Sequence, residues 1–452
     1  MPHDLRRAVA IGGLAGMLFA QGGASAAEEG AWMAGVASTN ITPKTSVWMA
    51  GYASRKKPSE GVALDLNAKC LALDDGRNHR LAIITLDLIG VPRDLRDSIE
   101  AHARDKCGLA PGQLLINASH THCGPELRAS RLADSAATDA VRKAGEAYYD
   151  SLKPALCDLL DRALSALAPA RLDFFRARAG FAMNRRRPTD KGYINAPHPD
   201  GPIDHDVPVL RVASPDGTMR ALLFGYACHC TTLNYQKLCG DYGGFAQLDI
   251  ETAHPGTTAM FAIGCGADQN PYPRGTEDNA RQHGRALANG VEAALLTVAK
   301  PIRGPLVAEM KEITLDFAPV PSRAELEKIA SSAKDPDRGH ARRLLQELER
   351  EGKIRSTYPY LVQVIRFGED LTIIALAGEV VVDYSLRLKR ELGPSAWVMG
   401  YCNDVFGYVP STRVLKEGGY EAGGAMRWGS LPGPFADSTE ERIIAAVKAL
   451  AR

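Results

Sequence analysis

RLAIITLDLIGVPRDLRDSIEAHARDKCGLAPGQLLINASHTHCGP, residues 80–125, carries the pattern that decides the fold. Arg80 to Ile89 is an almost unbroken apolar run, as expected of a buried strand. Arg93 to Lys106 reads as a helix that stops near Gly108, a residue suited to the left-handed turn after a helix. Gln113 to Ala118 is a second apolar strand, so the stretch is a βαβ unit. This second strand runs out into Ser119-His120-Thr121-His122-Cys123-Gly124-Pro125. Side chains at i and i+2 on extended backbone share a face, so His120 and His122 are expected to point the same way. Ligands and chemistry collect at the carboxyl ends of strands in α/β sheets. Neutral imidazole is both a common metal ligand and the proton carrier of neutral pH. One structural histidine beside one exposed histidine would give the same pattern, so the pair alone leaves both readings open.

Outward from this unit the same alternation of elements continues. A long helical stretch covers Asp139 to Leu167, with Pro154 placed to break it. Val207 to Val212 and Met219 to Ala227 form a hairpin about Ser214-Pro215-Asp216-Gly217. A strand over Thr257 to Ile263 precedes a helix over Asp278 to Ala299. Tyr360 to Phe367 and Leu371 to Ala377 form a second hairpin. A helix over Val380 to Glu391, a strand over Trp397 to Gly400 and a terminal helix over Glu440 to Ala451 complete the pattern. The charged segment Ser322 to Lys353 reads as a solvated helical pair, with an insertion that covers the site as the alternative. The expected class is α/β: a single large mixed-sheet domain with flanking helices and a metal site at the strand C-terminal ends.

Composition narrows the partners. A formal net charge of +1 over 452 residues offers no basic excess for nucleic acid. Arg6-Arg7, an apolar stretch to Ala20 and Ala24-Ser25-Ala26 have the order of an export signal cleaved at a small-residue site. Residues 1–26 are therefore expected to be a signal peptide and residues 27–452 the folded domain, periplasmic or secreted. The nine cysteines include no Cys-x-x-Cys pair. Cys228-His229-Cys230 is too closely spaced for the usual thiolate zinc pairs, and small buried cysteine is the expected role at most positions.

Polar groups recur just past the strands. His120 follows the strand ending at Ala118, and His229 the one ending at Ala227. Glu379 follows Ala377, with Gly378 letting the backbone turn, and Tyr408 lies shortly after the strand ending at Gly400. A His, His, Glu set is the ligand type of hydrolytic zinc sites that keep a position open for water. Singly, each residue has a structural explanation: a core histidine, a helix N-terminal carboxylate, a packed tyrosine.

Motifs in order along the chain resemble the neutral (non-lysosomal) ceramidases. Ala34-Gly35-Val36-Ala37, Asn40-Ile41-Thr42-Pro43 and Met49-Ala50-Gly51-Tyr52 are similar to the family's opening. His120-Thr121-His122 with Gly124-Pro125 resembles its His-Thr-His-x-Gly-Pro motif, and Asn184-Arg185 its Asn-Arg pair. Cys228-His229-Cys230-Thr231, Gly240-Asp241-Tyr242, Gly378-Glu379, Asn403 to Tyr408 and Tyr420-Glu421 match later segments. The resemblance implies Zn2+ held by His120, His229, Glu379 and Tyr408. It further implies His122 as a substrate-facing acid/base and Arg185 as a polar anchor. Arg185, or Tyr420 through its hydroxyl, would stabilise the oxyanion. The implied reaction is hydrolysis of the N-acyl bond of ceramide by metal-activated water, and a lipid substrate implies transient contact with a membrane surface.

The chain departs from the family at named places. Where the family has Gly-Asp-x-Ser-Pro-Asn, this sequence has Gly264-Cys265-Gly266-Ala267-Asp268-Gln269-Asn270-Pro271, without serine. Asp268 and Asn270 are candidates to orient substrate there, although turn formation before Pro271 accounts for them equally well. Val405 replaces the first aromatic of the Asn-x-Tyr-x-x-Tyr segment. The family's C-terminal immunoglobulin-like domain is expected to be absent. Three functions follow: an amidase of ceramide or a related N-acyl lipid, a zinc hydrolase of a smaller non-lipid amide or ester, and a non-catalytic binding protein.

Overall fold

From the amino end come β1 (Met33–Asn40), β2 (Asn67–Asp74), β3 (Arg80–Leu86), α1 (Arg93–Cys107), β4 (Leu114–Ala118), the short α2 (Ala129–Ala133) and α3 (Asp139–Ser165). Next are β5 (Ala168–Pro169), β6 (Arg171–Arg178), β7 (Ala182–Thr189), β8 (Gly192–His198), β9 (Asp206–Ala213) and β10 (Met219–Tyr226). They are followed by α4 (Asp241–Ala253), β11 (Thr258–Ile263), β12 (Gln269–Pro271), α5 (Glu277–Leu295) and β13 (Lys300–Pro301). The last part contains β14 (Leu306–Asp316), α6 (Arg323–Ser332), α7 (Asp337–Glu351), β15 (Thr357–Phe367), β16 (Leu371–Leu376) and β17 (Glu379–Val380). It closes with α8 (Val382–Leu392), β18 (Ala396–Met399), β19 (Tyr408–Val409), α9 (Thr412–Glu417) and α10 (Thr439–Leu450). This computed structural model describes residues 32–452 except 134, 333, 335 and 430, so the expected signal peptide lies outside the described residues.

Instead of one sheet, the larger strands form three mixed ones, ordered β4-β3-β2-β1-β5, β11-β10-β9-β6-β13 and β14-β15-β16-β18. Each contains one parallel pair, β3/β4, β10/β11 and β16/β18. A helix crosses over in each case, α1, α4 or α8, because parallel neighbours need a long connection. The βαβ unit read from residues 80–125 therefore occurs three times in one architecture.

Alternation along the strands explains how the three units join. Leu81, Ile83 and Leu115 enter a core shared with Leu223, Met260, Ile373 and Trp397 from the other two sheets. Their neighbours Ala82, Ile84, Leu114 and Ile116 turn the other way, onto Leu95 and Ile99 of α1 and Leu156 and Leu160 of α3. Leu222 and Phe224 likewise face Tyr242 of α4 and Leu287 of α5, while Ile374 and Leu376 face Leu388 of α8 and Ile443 of α10. Both faces of every sheet are covered, hence the continuous apolar runs. Each fully buried large side chain contributes about 1.5–3 kcal/mol. Cys228, Cys230 and Cys265 are buried in these clusters, and all nine cysteines are unpaired.

Two sequence expectations are corrected here. The helix over Asp139–Ser165 continues through Pro154, which sits with Asp150 on its exposed face, so the carbonyl that proline cannot bond is open to solvent. The charged pair α6 and α7 is solvated on one side only. His340 and Arg343 of α7 are hydrogen-bonded to the carbonyls of Leu431 and Gly429, which fastens the pair over the segment after α9. No helix among the described residues is long and apolar enough to cross a membrane.

Asn117 of β4 ties the carboxyl ends of all three units together. Its Oδ1 accepts from the Ile263 N–H at 3.0 Å, and its Nδ2 donates to the Gly400 carbonyl at 2.8 Å. The side chain is fully buried, and its backbone bridges to Cys402. Asn117→Ala leaves these backbone groups unpaired away from water, so a loss of about 3 kcal/mol in urea unfolding is expected. A loss below about 1 kcal/mol would show that the junction does not depend on it.

Candidate functional site

The three strand ends deliver His120, His229 and Glu379 to one point. His120 comes two residues after β4 and adopts a left-handed backbone, φ 59°, so the strand has already ended there. The extended geometry expected for the His-Thr-His stretch is thereby replaced by a turn. The two rings converge regardless, with centroids 4.9 Å apart in an edge-to-face arrangement. His229 is positioned by its N–H to the Gln269 carbonyl at 3.0 Å. Glu379 opens β17, which pairs in parallel with β19 in the register Glu379 to Tyr408. The preceding Gly378 has φ 76°, and a Cβ there would lie 2.8 Å from the Gly407 carbonyl oxygen, so glycine is required.

Hydrogen bonds fix the tautomers. His120 Nδ1 lies 2.6 Å from the Ile89 carbonyl oxygen and His229 Nδ1 lies 2.7 Å from that of Gly266. A carbonyl only accepts, so both Nδ1 atoms carry the proton and both Nε2 atoms present bare lone pairs. Those lone pairs meet Glu379 Oε2 at 3.2 Å from His120 and 3.5 Å from His229. His122 Nε2 is 3.2 Å from His120 Nε2, and the nitrogens of all three histidines lie within 4.8 Å of one another. Glu379 Oε2 is buried with no hydrogen-bond partner. Acceptors facing acceptors, with no proton between them, repel unless a cation sits among them.

Electrostatics agrees with that reading. Burial, followed by the positive Arg185, lowers the His229 imidazole to about 3, so it is neutral. Burial also holds His122 well below the usual histidine range, with His120 and His229 adding to the effect. Neutral imidazoles with one carboxylate suit a divalent metal of the zinc type, and imidazoles anchored through Nδ1–H are the usual orientation of such ligands.

Around this centre lie the other residues singled out in the sequence. Tyr408 Oη is 3.4 Å from His229 Nε2 and accepts from Arg185 Nη2 at 2.9 Å. Arg185 also donates to Glu421 Oε1 at 2.8 Å and Asn270 Oδ1 at 3.2 Å, so all its nitrogens are engaged in a buried layer behind Tyr408. Asn270 belongs to that layer too, accepting from Thr231 Oγ1 at 3.2 Å. Asp268 is fully buried and accepts from the Val382 N–H at 2.9 Å, at the start of α8. Tyr420 packs edge-on to Tyr408 with ring centroids 5.4 Å apart and is 41% exposed, so its hydroxyl is free to meet a ligand.

Residues that sequence reasoning passed over complete the site. Glu421 accepts from Arg186 Nη1 at 2.6 Å as well as from Arg185, holding two buried guanidiniums. Tyr401 packs on His120 with centroids 4.5 Å apart. Gly51, φ 94°, lets the His122 ring approach, since a Cβ would fall 2.4 Å from it. Its place in the Met-Ala-Gly-Tyr segment was the signal available. The Ile89 and Gly266 carbonyls leave no side-chain signature at all.

The centre lies at the floor of a cavity of about 880 Å³, lined by His120, His122, Glu379, Tyr408 and Tyr420. Trp48, Met49, Tyr52, Phe406, Met426 and Trp428 supply apolar wall, and Gly339 and Arg343 of α7 form part of the rim. This volume falls in the range of about 300–1,000 Å³ usual for small-molecule sites. The charged helical pair is thus part of the cavity, beyond the solvated role expected from its composition.

Residues 32–276, more than half of the chain, match the family model described as neutral/alkaline non-lysosomal ceramidase, N-terminal. The fold is similar to a solved neutral ceramidase from Pseudomonas aeruginosa, TM-score 0.72 at 18% identity, over 94% of this chain and 74% of that one. It is also similar to a ceramidase solved in complex with C2, TM-score 0.70 at 16% identity, over 93% of this chain and 75% of that one. No curated protein matches the chain.

Proposed function

Because the chain belongs to the neutral/alkaline non-lysosomal ceramidase family, we propose that it is a zinc-dependent amidase cleaving the N-acyl bond of ceramide or a related N-acyl lipid. The observation that carries the metal is the meeting of bare His120 and His229 Nε2 atoms with the unpartnered Glu379 Oε2. In this reading His120, His229 and Glu379 hold Zn2+, with Tyr408 as the fourth ligand. The ion would supply Lewis acidity, polarising the acyl carbonyl and making a water nucleophile available near neutral pH.

The chain's own groups would do the rest. His122 differs from its two neighbours in having a buried Nδ1 with no partner. No backbone carbonyl pins its tautomer, so it can take a proton from water and pass one to the leaving nitrogen. Tyr420, facing the cavity, would donate to the developing oxyanion. Arg185 would act from behind as a positioning residue, holding the Tyr408 oxygen by its 2.9 Å hydrogen bond. The apolar wall would exclude water and receive the acyl chain.

The direct test is fatty-acid release from a short-chain ceramide by zinc-loaded protein with and without chelator. Chelator-sensitive release is expected; absence of release from zinc-loaded protein would refute the activity. His122→Ala is expected to keep the metal and lower kcat by ~10²–10⁴-fold. Metal loss in that variant, measured by elemental analysis, would instead place His122 among the ligands. From the amino-terminal sequence alone we also propose export with cleavage after Ala26, to be checked by amino-terminal sequencing of the mature protein; a mature chain beginning at Met1 would disprove it.

A further inference from the structure

Six arginines line the cavity, Arg55, Arg93, Arg128, Arg131, Arg343 and Arg355, against the carboxylates of Glu126, Glu379 and Asp404. Most of the positive charge is accounted for locally. Arg93 pairs with Asp404 at 3.0 Å, Arg128 with both oxygens of Glu126 at 2.7 Å, and Arg355 with Glu347 at 3.0 Å. Arg55 donates to the carbonyls of Ala50, Tyr235 and His122, and Arg343 to those of Gly429 and Arg427.

Arg131 is different. Among the described residues no group accepts a hydrogen bond from its guanidinium, and no carboxylate pairs with it. Burial, and after it the neighbouring Arg128, lower its pKa, with Glu126 and Tyr420 on the opposing side. Its backbone is held in place, because the next residue, Leu132 of α2, packs with Trp48 and Ala137. Arg131 is partly exposed to the cavity, and a guanidinium fork fits a carboxylate or phosphate with two parallel hydrogen bonds. Tyr420 interacts electrostatically with Arg131 and also with Glu379 and Arg185. The Tyr420 and Arg131 side chains line the same cavity as His120, His122 and Glu379.

We propose that Arg131 forms an anion subsite in the cavity that holds the reaction centre, so that the preferred substrates are N-acyl amides bearing a carboxylate or phosphate. The inference rests on the amidase reading of the same cavity and names its substrate class. A neutral amide would leave the Arg131 guanidinium facing the cavity without a counter-charge.

The test uses three amides with one acyl chain: N-lauroylglycine, N-lauroylphosphoethanolamine and the neutral N-lauroylethanolamine. On zinc-loaded protein, kcat/KM for at least one acidic amide is expected to exceed that for the neutral one by ~10-fold or more. Whether glycine or phosphoethanolamine gains more decides between carboxylate and phosphate. Arg131→Ala should bring the acidic-to-neutral ratio close to one, and Arg131→Lys should restore part of it. Equal rates for all three amides in the unaltered protein, or an equal fall for all three in Arg131→Ala, would overturn the subsite. If none is cleaved, the same ratios are read from dissociation constants by titration calorimetry. Lack of turnover would then count against the amidase reading, while the ratio still decides the subsite.

Discussion

Replacing His229 by alanine is expected to abolish both metal binding and turnover. The imidazole is fully buried, its Nδ1 proton is committed to the Gly266 carbonyl at 2.7 Å, and its Nε2 faces Glu379 Oε2 at 3.5 Å. Tyr401 Oη does not replace that lone pair, because it approaches the other nitrogen, at 3.4 Å from Nδ1. With one strong donor removed, the remaining set should fall below the affinity needed to hold the ion, and activity should drop by at least ~10³-fold, to the level of chelated parent protein. Elemental analysis of the purified variant together with its rate gives the answer. Full zinc occupancy in His229→Ala would remove His229 from the ligand set, whatever the rate. Circular dichroism of the variant beside that of the chelated parent separates loss of the metal from loss of the fold.

A second large effect is expected at Glu421, and it reads out as stability. Burial works against its charge, but Arg185 and then Arg186 hold its carboxyl below the usual range. The three groups are nearly inaccessible to water, with contacts of 2.8 Å and 2.6 Å. Glu421→Ala leaves Arg185 with only neutral partners, Tyr408 and Asn270, and leaves Arg186 dependent on Glu417 at 3.1 Å. Removing one partner of a buried ion cluster strands the remaining charge, so unfolding free energy should fall by about 3–5 kcal/mol. Turnover should fall as well, since Arg185 then no longer holds the Tyr408 oxygen in register. Glu421→Gln, which keeps one acceptor and the shape, should lose less. A change under about 1 kcal/mol in urea unfolding of Glu421→Ala would show that water reaches the cluster.

The two residues illustrate what was legible. His229 stood out beforehand because it directly follows an apolar strand, where α/β folds put their chemistry. Glu421 was visible only as part of the Tyr420-Glu421 match, with no role attached, and only the fold brings it against Arg185 and Arg186 of β7. Arg185 was singled out as a polar anchor and Asn270 as a group to orient substrate, and the structure puts both in the buried layer behind Tyr408. Asp268 could equally have been a turn residue, and the structure finds it bonded to the first N–H of α8. The α6–α7 pair carries the composition of a solvated surface, which left a plain solvated face and a cover over the site both open, and the fold puts Gly339 and Arg343 in the cavity lining.

Local order decided the rest of what could be read in advance. Apolar runs bounded by Gly and Pro specify strands and helices because burial and backbone geometry act over a few residues. The first βαβ unit, the hairpins and the strand ends bearing His120, His229 and Glu379 were therefore visible in the sequence itself. Tertiary structure alone decided that three such units share one core, that Asn117 brings their carboxyl ends together, and that bare Nε2 atoms confront an unpartnered carboxylate. It also decided that Arg131 lines the cavity with no ion pair among the described residues. Those facts depend on contacts between residues hundreds of positions apart, such as Asn117 with Gly400 and Arg185 with Glu421. Their energies come from burial and charge compensation in three dimensions, which no local pattern of residues encodes.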